Sequence, residues 1–352
     1  DRSRISSYAA MSSDADTRNA ENQQRRTEVR IMGSQFSQKL AFINPEILEI
    51  GEEKLTAYLQ ELDGLKPYSL NILDTLRQAD HVLSADAEQM MAATSLMRGA
   101  GSNTYRTLAN ADMPWPTITL SDGTEARLDQ SGYTRHRSSD NREDRKAVFD
   151  AFWGKWKEFE RTFGTTLSSQ INAHVFSYRQ RDYANSLESA LDNNNIPEEV
   201  YRTLISETGE NLDTLHRYFT LRGRMLGVDD LGYHDIYPSL VESDKEFPIE
   251  IGKQLTLEAT KPLGNAYVEV MASGFENRWM DVYPRPGKVS GAYMNGSVYD
   301  EHPFVLMNYN DDYQSVSTLA HEWGHAMHSY LANTNQPYPT ARYSIFTAEI
   351  AS

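Results

Sequence analysis

The sequence predicts a mainly α fold of many helices with one small β-sheet. Three features carry that expectation. Apolar residues recur every three or four positions through most of the chain, strand-like stretches are few and short, and helix-start and helix-stop residues punctuate the long runs. With 352 residues and 39% hydrophobic content, the chain can bury a sizeable core and is expected to form two lobes.

Residues 15–32 are polar and charged, and are expected to be the exposed end of a long helix. Segments 54–63, 66–79 and 84–98 carry apolar residues at helical spacing, with Leu70, Ile72, Leu73 and Leu76 in the middle one. They fit a small helical lobe over residues 1–110. Gly99 to Asn110 is rich in Gly, Ser, Asn and Thr and is read as the boundary, leaving 111–352 as the second domain. Thr117–Leu120, the turn pair Asp122-Gly123 and Glu125–Leu128 read as a β-hairpin. Asp140 with Glu143 suggests a capping box. The helix behind it carries Val148, Phe149, Phe152, Trp156, Phe159 and Phe163, an aromatic stripe whose spacing marks core. Ile196-Pro197 opens another helix through Val200, Leu204, Ile205, Leu212, Leu215 and Phe219, stopped by Gly227.

The stretch with most chemistry is His321-Glu-Trp-Gly-His-Ala-Met-His328, which contains H-E-x-x-H and three of the nine histidines. On a helix, positions i and i+4 share a face. His321 and His325 can therefore point at a single ion, with Glu322 placed to reach a water beside it, as a zinc hydrolase requires. Ala320, Trp323, Gly324, Ala326 and Met327 are all uncharged, and Val316, Leu319, Trp323 and Met327 form an apolar face. The competing reading is a helix whose histidines only satisfy core hydrogen bonds.

A catalytic zinc site takes three protein ligands and leaves one position open. The metzincin extension fails, because His328 stands at its Gly position and Leu331 at its third His. After His325 the only acidic residue is Glu349, so His321, His325 and Glu349 complete the set by elimination. Ser344–Ser352 reads as a second helix with Ile345, Phe346 and Ile350 as packing positions. The loop Leu331–Arg342, with Asn333, Asn335, Pro337 and Pro339, supplies the reversal. His328 shares the histidine face about two turns from His321, too far for the same compact site; substrate contact and plain packing both stay open for it. In 288–309, Gly291, Gly296, Phe304 and Leu306 suggest a short twisted sheet beside this helix. Gly291, Ala292 and Tyr293 are the candidate edge that pairs with an extended peptide, an ordinary buried hairpin being the alternative. Asp300-Glu301-His302 is another possible metal cluster, but the following Pro303 and the lack of helical spacing favour a turn or support for the site.

These residues resemble a known family. His321–His328, followed by Tyr343-Ser-Ile-Phe-Thr-Ala-Glu-Ile-Ala-Ser352, is similar to the oligoendopeptidase F branch of the thimet oligopeptidase family of zinc peptidases. Ser290–Tyr309 resembles the segment preceding the zinc helix there, and Leu65–Tyr68 through His81–Ser84 resembles the small N-terminal helical domain. The resemblance implies a multi-helix zincin-type, neurolysin-like fold, one Zn2+ per chain, Glu349 as third ligand and Glu322 as general base. It also implies oligopeptide substrates admitted to a deep channel, with endo-cleavage and removal of C-terminal dipeptides both represented in the family. Family members run to about six hundred residues, consistent with several packed lobes, so the chain reads as a fragment lacking roughly the last third. The Tyr and His donors that steady the tetrahedral intermediate belong to that part, and a second chain or segment would have to supply them. A non-catalytic peptide-binding protein with a retained zinc site is the alternative from another functional class.

Composition narrows the partners. Lys and Arg number 34 against 50 Asp and Glu, a net charge of -16, which disfavours nucleic acids and anionic membrane surfaces. No run of eighteen apolar residues occurs; Asp1-Arg-Ser-Arg-Ile5 does not read as a signal peptide, and a leader ahead of this segment stays open. With no cysteine, disulfides and Cys-ligated metals are excluded. The resemblance implies a cytoplasmic location, with the periplasm open.

Overall fold

The computed structural model describes residues 1–241 and 246–352. It is mainly helical, with five short strands: β1 (Thr117–Thr119), β2 (Glu125–Arg127), β3 (Met280–Asp281), β4 (Tyr293–Asn295) and β5 (Phe304–Leu306). No helix among the described residues is long and apolar enough to cross a membrane. The chain divides into two compact units, one of residues 1–111, 166–183 and 247–352, the other of residues 112–165 and 184–246. This differs from a linear division at residue 110, because the opening residues are tied to residues much later in the chain. Thr17 donates through its N–H and its hydroxyl to the Gly287 carbonyl, Val289 N–H donates to the Asp14 carbonyl, and Arg4 pairs with Asp300 and Glu301.

In the first unit, the polar stretch 15–32 is not the end of one long helix. It holds the last residue of helix Arg2–Ala15, a turn, and the start of helix Ala20–Lys39. The Asn19 side chain caps the second helix, accepting the Asn22 N–H at 3.0 Å. Helices Glu52–Glu61, Ser69–Arg77 and Ala85–Ala93 lie close to where apolar spacing put them. The first unit's opening segment ends at Ala111, one residue past the stretch read as a boundary, Gly99 to Asn110, and that stretch contains the helix Ala100–Thr107. Its small residues serve a close crossing: a Cβ on Gly101 would lie 2.7 Å from the Thr166 carbonyl of helix Glu160–Gln180. Ser102 Oγ donates to Gln170 Oε1 across the same contact.

The sheet of this unit runs β3-β5-β4, with β5 parallel to β3 and antiparallel to β4. Val305 and Met307 pack with Met271, Leu319, Trp323 and Met327, which seats the sheet against the helix Tyr313–Asn335 that carries the histidine motif. Trp279 stacks on Trp323 at 6.1 Å, and His302 stacks on Trp279 at 4.8 Å. With Asp300 and Glu301 both paired to Arg4, the Asp300-Glu301-His302 stretch is a structural turn.

In the second unit, β1 and β2 form the expected hairpin, with Thr119 opposite Glu125 and Gly123 at φ +87° in the turn. The helix Arg142–Glu158 starts one residue later than the capping pattern suggested. Asn141, not Asp140, accepts from the Glu143 and Asp144 N–H groups. Val148 and Phe152 are buried with Leu128 and Tyr133, while Phe163 belongs to the following helix. The helix opened by Pro197 breaks at Asn211 into Glu198–Glu210 and Leu212–Leu226, ended by Gly227 in the left-handed region. Val200, Leu204, Ile205, Leu212 and Leu215, expected as packing positions, are exposed. Asp235 is fully buried and receives Arg142, Arg145 and the Gly232 N–H.

Candidate metal centre

The motif helix Tyr313–Asn335 begins at Asp312, whose side chain accepts the Ser315 N–H at 2.7 Å. Leu319, Trp323 and Met327 are fully buried, which fixes the rotation of the helix about its axis and therefore the direction of its histidines. The two imidazoles meet as the i, i+4 spacing requires. His321 Nε2 and His325 Nε2 stand 3.2 Å apart, their rings nearly perpendicular at 83°.

Glu349 follows the short helix Ile345–Ala348, which Ser344 caps by accepting the Thr347 N–H. The expected helix over Ser344–Ser352 is thus shorter, and Ile345, Phe346 and Ile350 are exposed instead of packed. The segment is held by Tyr343, whose ring stacks on His328 at 3.7 Å and whose hydroxyl bonds Ser329 Oγ. Glu349 Oε2 lies 3.8 Å from His321 Nε2 and 3.7 Å from His325 Nε2. Among the described residues these three side chains form the one such group of potential metal donors.

The fit to zinc follows from these separations. A circle through the three atoms has a radius of about 2.1 Å, the length of a zinc bond to imidazole nitrogen or carboxylate oxygen. Two imidazoles and one carboxylate are also a donor set that suits zinc. Burial, with help from His321, pushes the His325 imidazole below its usual pKa, which keeps it in the neutral form that binds metal. Glu322 is buried, and burial raises its carboxyl pKa, with Glu349 adding to the rise and His321 and the Met294 N–H opposing it.

The residues read as a substrate edge fall at the start of β4. Within its sheet β4 has a neighbour on one side only, and the strand spans Tyr293–Asn295, two residues further on than the expected 291–293. Gly291, at φ +78°, precedes it with its carbonyl taken by Asn308 Nδ2. Ala292 packs against the core, and the Tyr293 hydroxyl donates to Asp14 Oδ2 at 3.0 Å. Asp14 also holds Arg26 and Arg106, so Tyr293 belongs to a partly buried ion cluster. His328 lies outside the donor trio, stacked on Tyr343 with Nδ1 buried and unbonded among the described residues. Sequence reasoning did not find Tyr343, Asp14 or Met294, none of which carries a local spacing signal. Gly324 it noted only as uncharged.

Comparison with known proteins identifies the family. The profile of peptidase family M3 matches residues 135–352, and that of oligopeptidase F matches residues 46–114. The chain is 39% identical over 350 residues to Oligopeptidase PepF of Bacillus subtilis, covering 99% of this chain and 52% of that protein. It is 36% identical to Group B oligopeptidase PepB of Streptococcus agalactiae, covering 98% of this chain and 57% of that one. The chain thus spans little more than half the length of these relatives. The crystal structure of oligoendopeptidase-F from Enterococcus faecium superposes with a TM-score of 0.72 at 30% identity, covering 100% of this chain and 56% of that one. On these matches the chain belongs to peptidase family M3, within its oligopeptidase F group.

Proposed function

We propose that this chain carries the zinc-binding and proton-transferring part of a metallopeptidase acting on short oligopeptides. The supporting observation is the trio His321, His325 and Glu349 at zinc-bonding separations, with the buried carboxylate of Glu322 next in sequence to His321. These three side chains would hold one zinc ion, which when bound supplies Lewis-acid chemistry, polarising a carbonyl and acidifying water. Glu322 stays outside the trio. Its carboxylate takes a proton from the attacking water and releases it to the departing amine nitrogen. The raised proton affinity that burial gives Glu322 suits a group that must both accept and return a proton near neutral pH.

An extended peptide laid along the unpaired side of β4 would pair with the main-chain groups that strand leaves open beside Glu322, giving affinity with little sequence preference. The Met294 N–H of that strand acts on the Glu322 carboxylate, so edge and base are neighbours. Relatives named as oligopeptidases favour short peptides as the substrate class. A protein that only bound peptides would have no use for a buried carboxylate at this position. The test is cleavage of a quenched fluorescent oligopeptide by the full-length protein. Cleavage should stop with a zinc chelator and return with added zinc. Chelator-insensitive cleavage overturns the reading, and so does a zinc-loaded protein that cleaves no oligopeptide.

A further inference from the structure

The backbone that follows Glu349 crosses the motif helix at Gly324. A Cβ built there would overlap the Ala351 carbonyl oxygen and lie 2.8 Å from Ser352 Cα and 3.2 Å from the Ala351 carbonyl carbon. These are backbone atoms, so no side chain can swing aside to make room. Gly324 stands three residues after His321 and one before His325, beside His321 on the helix surface. It is also interior to a 23-residue helix, where glycine is a poorer helix former than alanine. Something other than helix propensity favours it there. The other end of the Glu349 segment is pinned by Tyr343 on His328 and Ser329, and Gly324 is where the far end meets the helix backbone.

We propose that Gly324 is the positioning residue for the third ligand: its missing side chain fixes how far the Glu349 carboxylate reaches toward His321 and His325. The inference rests on the zinc reading above. A Cβ at this position demands a retreat of the segment by about 1 Å to restore ordinary van der Waals separation. Metal–ligand distances tolerate only about 0.2 Å. The retreat is therefore several times what the bond allows.

The test compares four full-length proteins in the zinc-free state and in titration: wild type, Gly324→Ala, Glu349→Ala and the double variant. Zinc affinity is measured by competition with a chromogenic chelator, and the melting temperature of the zinc-free protein by circular dichroism. Gly324→Ala should weaken zinc binding at least tenfold while the zinc-free protein melts at or above the wild-type temperature. The double variant should bind zinc no more weakly than Glu349→Ala, because the two changes act through one ligand. Wild-type zinc affinity in Gly324→Ala overturns the proposal. So does a further tenfold loss in the double variant, or a lowered melting temperature of zinc-free Gly324→Ala, which would make Gly324 a packing residue. If Glu349→Ala binds zinc as tightly as wild type, the ligand assignment itself fails, an outcome read independently of Gly324.

Discussion

Replacing Glu322 by Gln preserves the size and hydrogen-bonding reach of the side chain and removes the proton acceptor. A positioned general base contributes about 10²–10⁴-fold to rate, so kcat should fall by that factor, equivalent to about 3–5 kcal/mol of activation free energy. The loss should sit in kcat, with KM little changed, because proton transfer belongs to the transition state. None of the three donor atoms belongs to Glu322. Zinc affinity should therefore stay within about threefold, less than 1 kcal/mol. Glu322 is buried in a place that disfavours its charge, so a neutral amide should not lower the melting temperature. The assay pairs steady-state cleavage of a quenched oligopeptide with elemental analysis of the purified full-length variant. Wild-type turnover in the Gln variant would assign the base to another group. Loss of zinc would make Glu322 a ligand.

Three further outcomes are expected. His325→Ala should yield protein with less than stoichiometric zinc by elemental analysis, since one of three donors is gone; full occupancy would refute the ligand set. Asp235→Asn should cost roughly 3 kcal/mol or more in denaturant unfolding, because Arg145 would remain buried without its carboxylate. Burial alone would raise the Asp235 pKa, but Arg142, the Gly232 N–H, Arg145 and His234 together hold it well below the usual carboxylate range. Its contribution is thus fully present above the unfolded-state pKa of about 4 and is lost as pH falls through the folded value, and the Asn variant should lack that acid-side dependence. Tyr293→Phe removes the hydroxyl that bonds Asp14 and should cost about 1–2 kcal/mol in the same measurement; an unchanged midpoint would show that the edge strand does not depend on that tie.

The paired histidines were legible because their relation is local: four residues apart on a helix decides their common face. Glu349 was legible because no other carboxylate follows His325. The hairpin at Asp122-Gly123 was legible for the same local reason. The small residues of Gly99 to Asn110 precede a change of unit at Ala111, but the helix within them was hidden because such residues both end helices and let them cross. Asp140 and Asn141 are both good caps, so a one-residue shift left no trace in the pattern. The tie from Asp14 to Tyr293 spans 279 positions and has no local pattern, and the reversal at Leu331–Arg342 was read without showing that Tyr343 would stack on His328. Gly324 was visible in the motif, yet its role depends on where Ala351 passes.

The long-range ties that fasten the opening helical hairpin have a consequence for biosynthesis. Arg4 finds Asp300 across 296 positions, and Asp14 finds Tyr293 across 279. At translation speeds of about 5–20 residues per second, the hairpin leaves the ribosome roughly 15–60 s before the strands that complete it. During that interval Asp14 has its charged partners Arg26 and Arg106 but not the Tyr293 hydroxyl.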